Sequence, residues 1–346
     1  MRDEALKRHG LFVPLCGDPR KLSLKAFLGR GEAFKLLLDI GKLDALVYAG
    51  GYWMHDLNPR NLGAITGILR AAKARGRKRG VLAIGAGPIE SEKGRAQVRK
   101  ALGGAEALTV RDDYSKRALE TAGVRGVQVT ADPALTLRSA PPGQVERILH
   151  DAGLDPGMPY MAICPCAWFK MSEFYNRQTE HISLMEQSLA RIAERNLGLG
   201  LQVVFIASMA PEDLATSERT AASLKNRSKV GIIDAMALLP GQVQAVIGGA
   251  VLLVSMRLHP AIFAVNAGTA CVAVNYDAKV QELCRRAGLA GWMVSPGRGD
   301  FGAEALKQAD ALLDDPEQQL RVVREARPAM LKALEGNARA IRRLTE

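Results

Sequence analysis

The chain has 346 residues, of which 48% are hydrophobic and 24% are charged, and its formal net charge is +11. A chain of this length exceeds what one hydrophobic core usually supports, so we expect two globular domains. The positive charge favours nucleic acid, an anionic membrane surface or a small anionic substrate as partner. Nucleic acid is disfavoured, because aromatic residues make up only 5% and the sequence has no zinc-finger spacing or basic-aromatic patch.

The cysteines indicate a reducing compartment. They are odd in number and scattered through apolar segments: Cys16, Cys164, Cys166, Cys271 and Cys284. We therefore expect buried structural thiols, no disulfide framework and no bound metal. No apolar run reaches the roughly 18 to 20 residues that a membrane span needs. The sequence predicts a cytoplasmic protein, with the inner face of the membrane as the alternative location.

Short β-branched runs recur along the chain, with room for a helix between them. The first series is Ala45–Tyr48, Val81–Ile84, Ala107–Val110 and Val127–Thr130. The second series is Met161–Cys164, Val203–Ile206, Val230–Ile233, Val251–Val254 and Cys271–Val274. This alternation is typical of parallel α/β sheets, so each series predicts one sheet.

Two stretches rich in helix breakers, Ser139–Gly143 and Asp155–Pro159, separate the two series. We therefore predict an N-terminal α/β domain over 1–142 and a second α/β domain over 143–315. Residues 316–346 form an amphipathic helix, interrupted near Pro328, that is expected to pack back on the first domain. Its apolar positions are Val322, Met330, Leu334, Ile341 and Leu344. Two Rossmann-like domains with parallel sheets and an inter-domain cleft make a GT-B-like α/β fold.

The segment after Val251–Val254 carries two cations where a buried strand ends. If the chain stays extended to His259, the two-residue period of a strand places Arg257 and His259 on one side. Pro260 is typical of the first turn of a helix and Gly268 of its end. Because a helix N-terminus attracts anions and Arg257 adds a guanidinium fork, the pattern predicts an anion site.

The next strand leads to Tyr276 and Lys279, which brings a third cation to the same edge. His259, with an ordinary pKa of about 6.5, is suited to proton exchange near neutrality. A purely structural alternative is that Arg257 pairs with Asp277 and that His259 caps a helix.

An Arg-Leu-His turn, a helix, a strand and a Tyr-Asp-x-Lys segment follow one another here, at Arg257–His259 and Tyr276–Lys279. In this order they resemble the polysaccharide pyruvyltransferase family. Four segments of the first half resemble further motifs of that family: Ala49–Asp56 its glycine run followed by Asp, Gly85–Pro88 its Gly-x-Gly-Pro turn, Val110–Ser115 its Val-Arg-Asp-x-x-Ser segment, and Thr130–Ala134 its Asp-Pro motif. The resemblance extends from about residue 44 to about residue 290.

The resemblance implies a GT-B-like fold and a transferase. The reaction it implies moves pyruvate from phosphoenolpyruvate to two hydroxyls of a sugar, which forms a ketal on a cell-surface polysaccharide or its lipid-linked precursor. Phosphoenolpyruvate is a donor substrate bound by domain 143–315, and no cofactor is implied. Arg257, His259, Lys279 and Tyr276 are the implied donor ligands, with Arg257 and His259 also catalytic. Asp56 is the candidate base for an acceptor hydroxyl, or else a helix cap.

Further residues are expected at the acceptor or along the cleft: Gly50, Gly51, His55, Gly85, Gly87, Arg111 and Asp112. The glycines suit either tight turns or close approach of the backbone to a ligand. Arg111 and Asp112 are expected to form an internal ion pair that organises the domain cleft. Asp132 is expected to fix a turn before Pro133.

The sequence departs from the family in three places, of which the mildest is Ala49 instead of the first family glycine. After the first strand of the second domain the family carries an arginine, whereas Ile163–Trp168 contains none; Lys170 is the candidate substitute. The chain also opens at Met1 without the family's first apolar strand. We expect either a start codon placed too far downstream or a branch of the family that lacks this strand.

Six cations lie between positions 70 and 79: Arg70, Lys73, Arg75, Arg77, Lys78 and Arg79. They form either a solvated surface or a contact with anionic lipid or a pyrophosphate-linked acceptor. Two rival functions stay open. One is a GT-B-type nucleotide-sugar glycosyltransferase or epimerase, and the other is a catalytically lapsed homologue that binds a sugar or an anion.

Overall fold

The computed structural model describes residues 39–167, 179–209, 211–297 and 300–345. The chain divides into two compact units. Unit 1 consists of the residues up to Pro133 and those from Lys332 onward. Unit 2 is Ala134–Leu331. The first division therefore precedes the boundary expected after residue 142.

Unit 1 contains a parallel sheet whose strands alternate with helices. The strands are β1 (Ala45–Ala49), β2 (Tyr52–Met54), β3 (Lys78–Ala86), β4 (Ala107–Val110) and β5 (Gln128–Val129). The helices are α1 (Pro59–Ala74), α2 (Glu92–Leu102) and α3 (Asp113–Thr121). The strand order is β1-β3-β4-β5, β2 pairs with β3, and these pairings are all parallel.

Short polar side chains start α1, α2 and α3. Asn58, Ser91 and Asp112 each accept the backbone N–H of the residue three positions later. Such N-caps satisfy a donor that the first helical turn leaves without a partner. Asp112, expected only in an ion pair, is thus also the cap of α3.

Strand β3 contains a bulge at Ala83. The φ angle of Ala83 is 51°, and the register with β4 shifts between Val81 and Ile84. The N–H of Ala83 donates to the Thr109 hydroxyl at 2.8 Å, which itself donates to Asn337 Oδ1 at 2.6 Å. A non-glycine residue in this left-handed region costs about 1–2 kcal/mol, so the hydrogen bonds hold a strained conformation.

Unit 2 contains a second parallel sheet. Its strands are β6 (Tyr160–Cys164), β7 (Gln202–Ala207), β8 (Val230–Asp234), β9 (Leu252–Ser255), β10 (Cys271–Val274) and β11 (Met293–Val294). Its helices are α4 (Pro142–Asp151), α5 (Thr179–Gly198), α6 (Glu212–Ala222), α7 (Pro240–Gly249), α8 (Leu258–Ala267), α9 (Ala278–Ala287) and α10 (Gly302–Asp314). The strand order is β11-β10-β9-β6-β7-β8, and each pairing is parallel.

The sheet of unit 2 is covered on both faces. In β7, Val203 and Phe205 belong to one apolar cluster, whereas Val204 and Ile206 belong to another. Every residue of β7 is buried, as expected for a parallel strand between two layers of helices. The predicted α/β class with two parallel sheets is confirmed.

A single long helix, α11 (Glu317–Thr345), ends the described chain. The predicted interruption near Pro328 is wrong, because the helix continues through this residue. Pro328 is exposed, and a missing N–H removes only one bond of the helical ladder. Near the C-terminal end Leu344 packs with Leu82 in unit 1, while Ile341, expected on the apolar stripe, is 47% exposed.

Candidate functional site

The carboxyl edge of the unit 2 sheet includes the point where the strand order reverses. The chain runs outward from β6 through β7 to β8 and then returns to β9, on the other side of β6. In open parallel sheets, ligands bind outside the carboxyl ends of the strands at such a point. We call the following residues the unit 2 edge: Cys166, Ala167, Met209, Asp213, Arg257, His259, Tyr276, Asp277 and Lys279.

Arg257 follows β9 and is the N-cap of α8, with an extended backbone. The Ser255 hydroxyl donates to its carbonyl at 2.8 Å and accepts its N–H at 3.1 Å. The predicted helix end at Gly268 is confirmed, since this residue has a φ of 77° after α8. The expectation that the chain stays extended to His259 is wrong, because α8 begins at Leu258. His259 is therefore exposed in the first helical turn.

The guanidinium of Arg257 is paired with a residue that no motif indicated. Its Nε donates to Asp213 Oδ2 at 2.9 Å and its Nη2 donates to Asp213 Oδ1 at 2.5 Å. The Asp213 side chain is fully buried, and that of Arg257 is 12% exposed. The alternative in which Arg257 pairs with Asp277 is wrong, because its carboxylate partner is Asp213. Asp277 instead caps α9 by accepting the N–H of Lys279.

The Arg257 guanidinium keeps its positive charge. Burial opposes ionisation of the guanidinium, but the neighbouring Cys166 and the Asp213 carboxylate together raise the pKa of Arg257 above its ordinary value. Among the described residues, Nη1 of Arg257 has no hydrogen-bond partner, and it is not one of the buried unpaired atoms. No residue of the described ranges therefore occupies this nitrogen of the cation.

The Tyr-Asp-x-Lys segment reaches the same group of side chains. Lys279 Nζ lies 3.1 Å from Asp277 Oδ2 and 5.3 Å from the centre of the Tyr276 ring. Burial, then Cys166, raises the pKa of the Tyr276 phenol, which Arg257 partly opposes. Tyr276 is therefore a neutral hydroxyl near Arg257. Arg257 and Lys279, two of the three cations expected here, each face a carboxylate.

The cysteines at and after the end of β6 are buried thiols. Cys164 and Cys166 are buried and not in disulfides, and burial raises the pKa of the Cys164 thiol. Cys271 and Cys284 are also buried thiols. Lys170, proposed above as a substitute for the family's arginine, lies outside the described residues, as do the whole segment 1–38 and Cys16.

The glycines of unit 1 form the turns at the carboxyl ends of β1 and β3. Gly50 and Gly51 have φ angles of 66° and 77°. Gly50 donates to the carbonyl of Leu82 at 2.9 Å, and Gly85 donates to that of Gly51 at 2.8 Å. A Cβ atom at Gly85 would lie 2.6 Å from Arg111 Nη2, so this position admits only glycine without movement of its neighbours.

The second glycine turn closes on Tyr52. Gly87 has a φ of 94° and precedes a cis proline, and its carbonyl accepts the Tyr52 hydroxyl. Its N–H donates to the Met54 carbonyl at 2.9 Å. The ring of His55 lies 5.3 Å from that of Tyr52. His55 thus packs within this turn.

Asp56 anchors the loop before α2. Its Oδ2 accepts the N–H of Glu90 at 2.8 Å and that of Ser91 at 2.6 Å. Both bonds go to one oxygen, and Oδ1 accepts no hydrogen bond within the described residues. Asp56 therefore holds backbone, while the side-chain cap of α2 is Ser91.

Arg111 is the centre of the charged group in unit 1. Nη1 lies 3.1 Å from Asp132 Oδ2, and Nε lies 3.5 Å from Asp112 Oδ2. The guanidinium also lies over the Tyr52 ring at 5.6 Å, and the side chain is only 5% exposed. The predicted internal pair of Arg111 with Asp112 is confirmed. Its second partner, Asp132, was expected only to fix a turn.

The cations between positions 70 and 79 divide into structural and exposed ones. Arg79 is buried and donates to the carbonyls of Ala101 and Gly104 near the end of α2, each at 2.7 Å. Others line an open groove of about 690 Å³, formed by Gly67, Arg70, Ala71, Lys73, Ala74 and Lys100. Searching the described helices for one suited to spanning a bilayer finds none.

Comparison with known families identifies the family of the chain. The family model described as "Polysaccharide pyruvyl transferase" matches residues 4–278. The chain belongs to the polysaccharide pyruvyl transferase family. The protein is therefore a transferase-family member, and the match includes the glycine turns of unit 1 and, except for Lys279, the unit 2 edge. No curated protein matches this pyruvyl transferase homologue.

Solved structures confirm the GT-B-like fold. UDP-GlcNAc 2-epimerase from Neisseria meningitidis, bound to UDP-GlcNAc, has a TM-score of 0.59 at 12% identity, covering 94% of this chain and 84% of that one. The α,α-trehalose 6-phosphate synthase of Burkholderia multivorans has a TM-score of 0.55 at 12% identity, covering 94% and 80%. UDP-GlcNAc 2-epimerase from Methanocaldococcus jannaschii has 0.54 at 13%, covering 86% and 82%. At these identities the likeness concerns the fold alone.

Proposed function

We propose that the protein transfers the pyruvyl group of phosphoenolpyruvate to two hydroxyls of a sugar in a polysaccharide or its lipid-linked precursor. The observation that carries the proposal is the Arg257 guanidinium, held at the switch point within the family's Arg-Leu-His turn, with one nitrogen that bonds to no residue in the described part of the chain. Arg257 binds the carboxylate or the phosphate of the donor. Charge-assisted hydrogen bonds of this kind contribute about 1.5–3 kcal/mol each.

The neighbours of Arg257 supply the other donor contacts. The first turn of α8 presents backbone N–H groups without intrahelical partners, which favour an anion. Lys279 adds a cation held by Asp277. Tyr276 adds a neutral hydroxyl, because burial raises its pKa. The donor therefore meets a site whose fixed charges are largely balanced before it binds.

The chemistry needs one proton donor and a route for two hydroxyl protons. A proton added to C3 of phosphoenolpyruvate leaves an oxocarbenium ion at C2, which one sugar hydroxyl attacks while losing its proton. Phosphate then leaves with the electrons of its C2–O bond, and the second hydroxyl attacks C2 and loses its proton. Of the two protons released, one replaces the proton spent on C3 and the other leaves with phosphate. His259 protonates C3, and Asp56 stays the predicted base for the acceptor.

The decisive assay measures phosphate released from phosphoenolpyruvate over a panel of acceptor sugars and lipid-linked sugars. His259→Ala is the sharpest variant, because His259 is exposed and its removal leaves the core intact. We expect kcat to fall by about 10²–10⁴-fold, the usual contribution of a general acid. His150→Ala, which removes another exposed histidine of unit 2, is the matched control and should leave turnover unchanged.

Two outcomes contradict the proposal. One is a wild-type protein that binds phosphoenolpyruvate and sugar but releases no phosphate with any acceptor, as a lapsed homologue would. The other is a melting temperature raised by a nucleotide sugar and not by phosphoenolpyruvate. The second outcome would favour a nucleotide-sugar enzyme, the rival suggested by the fold of the UDP-GlcNAc 2-epimerases.

We also propose that the groove between α1 and α2 contacts anionic lipid near the acceptor's membrane. Arg70, Lys73 and Lys100 line it, with no carboxylate among its described lining residues. The other residues that line it, Gly67, Ala71 and Ala74, have small side chains that let a flat surface approach. Each cation near such a surface contributes about 1 kcal/mol.

Flotation with vesicles of neutral lipid alone, or containing anionic lipid, tests this contact. Arg70→Glu/Lys100→Glu should abolish binding to anionic vesicles, whereas Lys229→Glu/Lys307→Glu, two changes in unit 2, should not. Equal binding by both double variants would contradict the proposal.

A further inference from the structure

Asp213 is the most connected carboxylate of the unit 2 edge, although no sequence motif includes it. It lies in the first turn of α6. Besides Arg257, its Oδ1 accepts the N–H of Ala167 and its Oδ2 accepts that of Met209, each at 3.0 Å. One buried side chain thus joins the segments that follow β6, β7 and β9, three adjacent strands at the switch point.

The pairing geometry fixes which part of Arg257 a ligand can meet. Asp213 takes the side of the guanidinium that carries Nε and Nη2. The end that carries Nη1 points away from this carboxylate, because the guanidinium is planar and rigid. Two parallel hydrogen bonds prevent rotation of the group about its last side-chain bond.

The charges of Arg257 and Asp213 indicate whether Asp213 helps to attract an anion or orients the guanidinium. Arg257 and Asp213 together carry no net charge, so Asp213 weakens the long-range attraction of Arg257 for an anion. A carboxylate at this position therefore does not serve to attract the anion. The N–H groups of Ala167 and Met209 hold the Asp213 carboxylate in place. Asp213 in turn fixes the position of Arg257, which must meet a small anion at hydrogen-bond distance.

We propose that Asp213 is a positioning residue that holds the Arg257 guanidinium so that its Nη1 end faces the carboxylate or phosphate of the donor. This inference rests on the proposed function for the identity of the donor. Asp213 touches neither the substrate nor the reacting atoms. Its effect passes through Arg257, and that dependence is what an experiment can measure.

A double-mutant cycle on donor binding provides the test. Phosphoenolpyruvate is titrated by calorimetry into wild type, Asp213→Asn, Arg257→Lys and the double variant. We expect each single change to weaken binding by about tenfold or more, the loss of one oriented charge-assisted contact. Lysine has no fork to orient, so adding Asp213→Asn to Arg257→Lys should weaken binding no further.

A purely structural role for Asp213 predicts a different result. Support for three loops would be lost equally in both backgrounds, so the two losses would multiply in the double variant, and that result overturns the proposal. Unchanged affinity in a folded Asp213→Asn protein also overturns it. If Asp213→Asn does not fold, Asp213→Glu keeps the charge and displaces the fork by one methylene. Weakened binding by Asp213→Glu supports positioning, and wild-type affinity overturns it.

Glu186→Gln is the matched control. Glu186 Oε1 accepts two hydrogen bonds from Nε and Nη2 of Arg219 of α6, at 2.9 and 2.5 Å, so it forms a more exposed arginine pair elsewhere in unit 2. Its removal should leave donor affinity unchanged. A loss equal to that of Asp213→Asn would show a general effect on α6 and would overturn the proposal.

The same titrations separate this inference from the proposed function. A wild-type protein that binds inorganic phosphate or a UDP-sugar but not phosphoenolpyruvate contradicts the proposed donor. The cycle is then run with the anion that binds, and coupling between Asp213 and Arg257 still supports positioning. A wild-type protein that binds none of these anions overturns both.

Discussion

The carboxyl edges of the two sheets are held by different kinds of interaction. In unit 1, the turns after β1 and β3 are held mainly by backbone hydrogen bonds around Gly50, Gly51 and Gly85. In unit 2, ion pairs of Arg257 and Lys279 hold the corresponding segments. Two parallel sheets therefore have one edge defined by backbone shape and another defined by oriented charge.

The two buried arginines show the same contrast. Arg111 faces two carboxylates and an aromatic ring and is 5% exposed, whereas Arg257 faces one carboxylate and is 12% exposed. Arg111 thus serves the internal order of unit 1, whereas Arg257 is the residue that we propose binds the donor. An arginine motif in the sequence does not distinguish these roles.

Arg111→Met is the largest test of the edge in unit 1. It leaves Asp112 and Asp132 without their counter-charge in a buried setting. We expect a loss of about 3–5 kcal/mol in the free energy of unfolding, measured by urea denaturation. Arg117→Met, a change at an exposed position of α3, should stay within about 0.5 kcal/mol of wild type. Equal stability of the two variants would refute the structural role of Arg111.

Gly85→Ala tests whether backbone shape defines unit 1. The added Cβ would lie 2.5 Å from Tyr52 Cδ2 and 2.6 Å from Arg111 Nη2. Overpacking of this kind costs about 1–3 kcal/mol. Gly63→Ala meets no atom within 4 Å, and in the middle of α1 it should stabilise the protein by about 0.5–1 kcal/mol. Thermal melts of both variants check the opposite signs.

Alkaline pH should weaken unit 2 through its buried thiols. Burial raises the pKa of Cys284 from its ordinary value of 9.0 to about 12. Between these values the unfolded thiol loses its proton and the folded one keeps it, so stability is full below pH 9 and falls as pH rises. One such thiol contributes a loss of about 1.4 kcal/mol between pH 8 and pH 10. Cys284→Ala should reduce this slope in urea denaturation, and an unchanged slope would contradict the assignment.

The smallest effect is expected at the bulge of β3. Ala83→Gly removes a buried methyl group but relieves a left-handed backbone, so the free energy of unfolding should change by less than about 0.5 kcal/mol. Ala86→Gly, in the same strand and also buried but without positive φ, should cost about 1.5 kcal/mol. A loss at Ala83 equal to that at Ala86 would show that the bulge carries no strain.

Most of the fold could be predicted because its central strands are buried. Parallel strands between two helical layers appear as continuous apolar runs, which marked both sheets, and Gly268 marked the end of α8. Strand β2 was missed because Tyr52–Met54 is too short to show a period. The helix break expected at Pro328 failed because an exposed proline removes only one hydrogen bond from a helix of 29 residues.

The candidate site could be predicted only in part. Its motif residues lie just after strands, where a pattern of apolar runs places them. Asp213 was missed because its role depends on the strand order, which brings β7 and β9 to either side of β6. The available signal was the pair Glu212 and Asp213 beside Pro211, after a buried strand. That signal is typical of any helix start and names no partner.

The hydrogen bonds of Asn337 bear on how the protein can be divided for expression. Thr109, which is fully buried, accepts from Ala83 and donates to Asn337, and Thr130 donates to the same oxygen at 3.0 Å. A fragment that stops at Pro133 would retain these hydroxyls without their acceptor. A clone of unit 1 therefore needs the segment from Lys332 joined to it by a linker, because a folding unit here is not a continuous stretch of the gene.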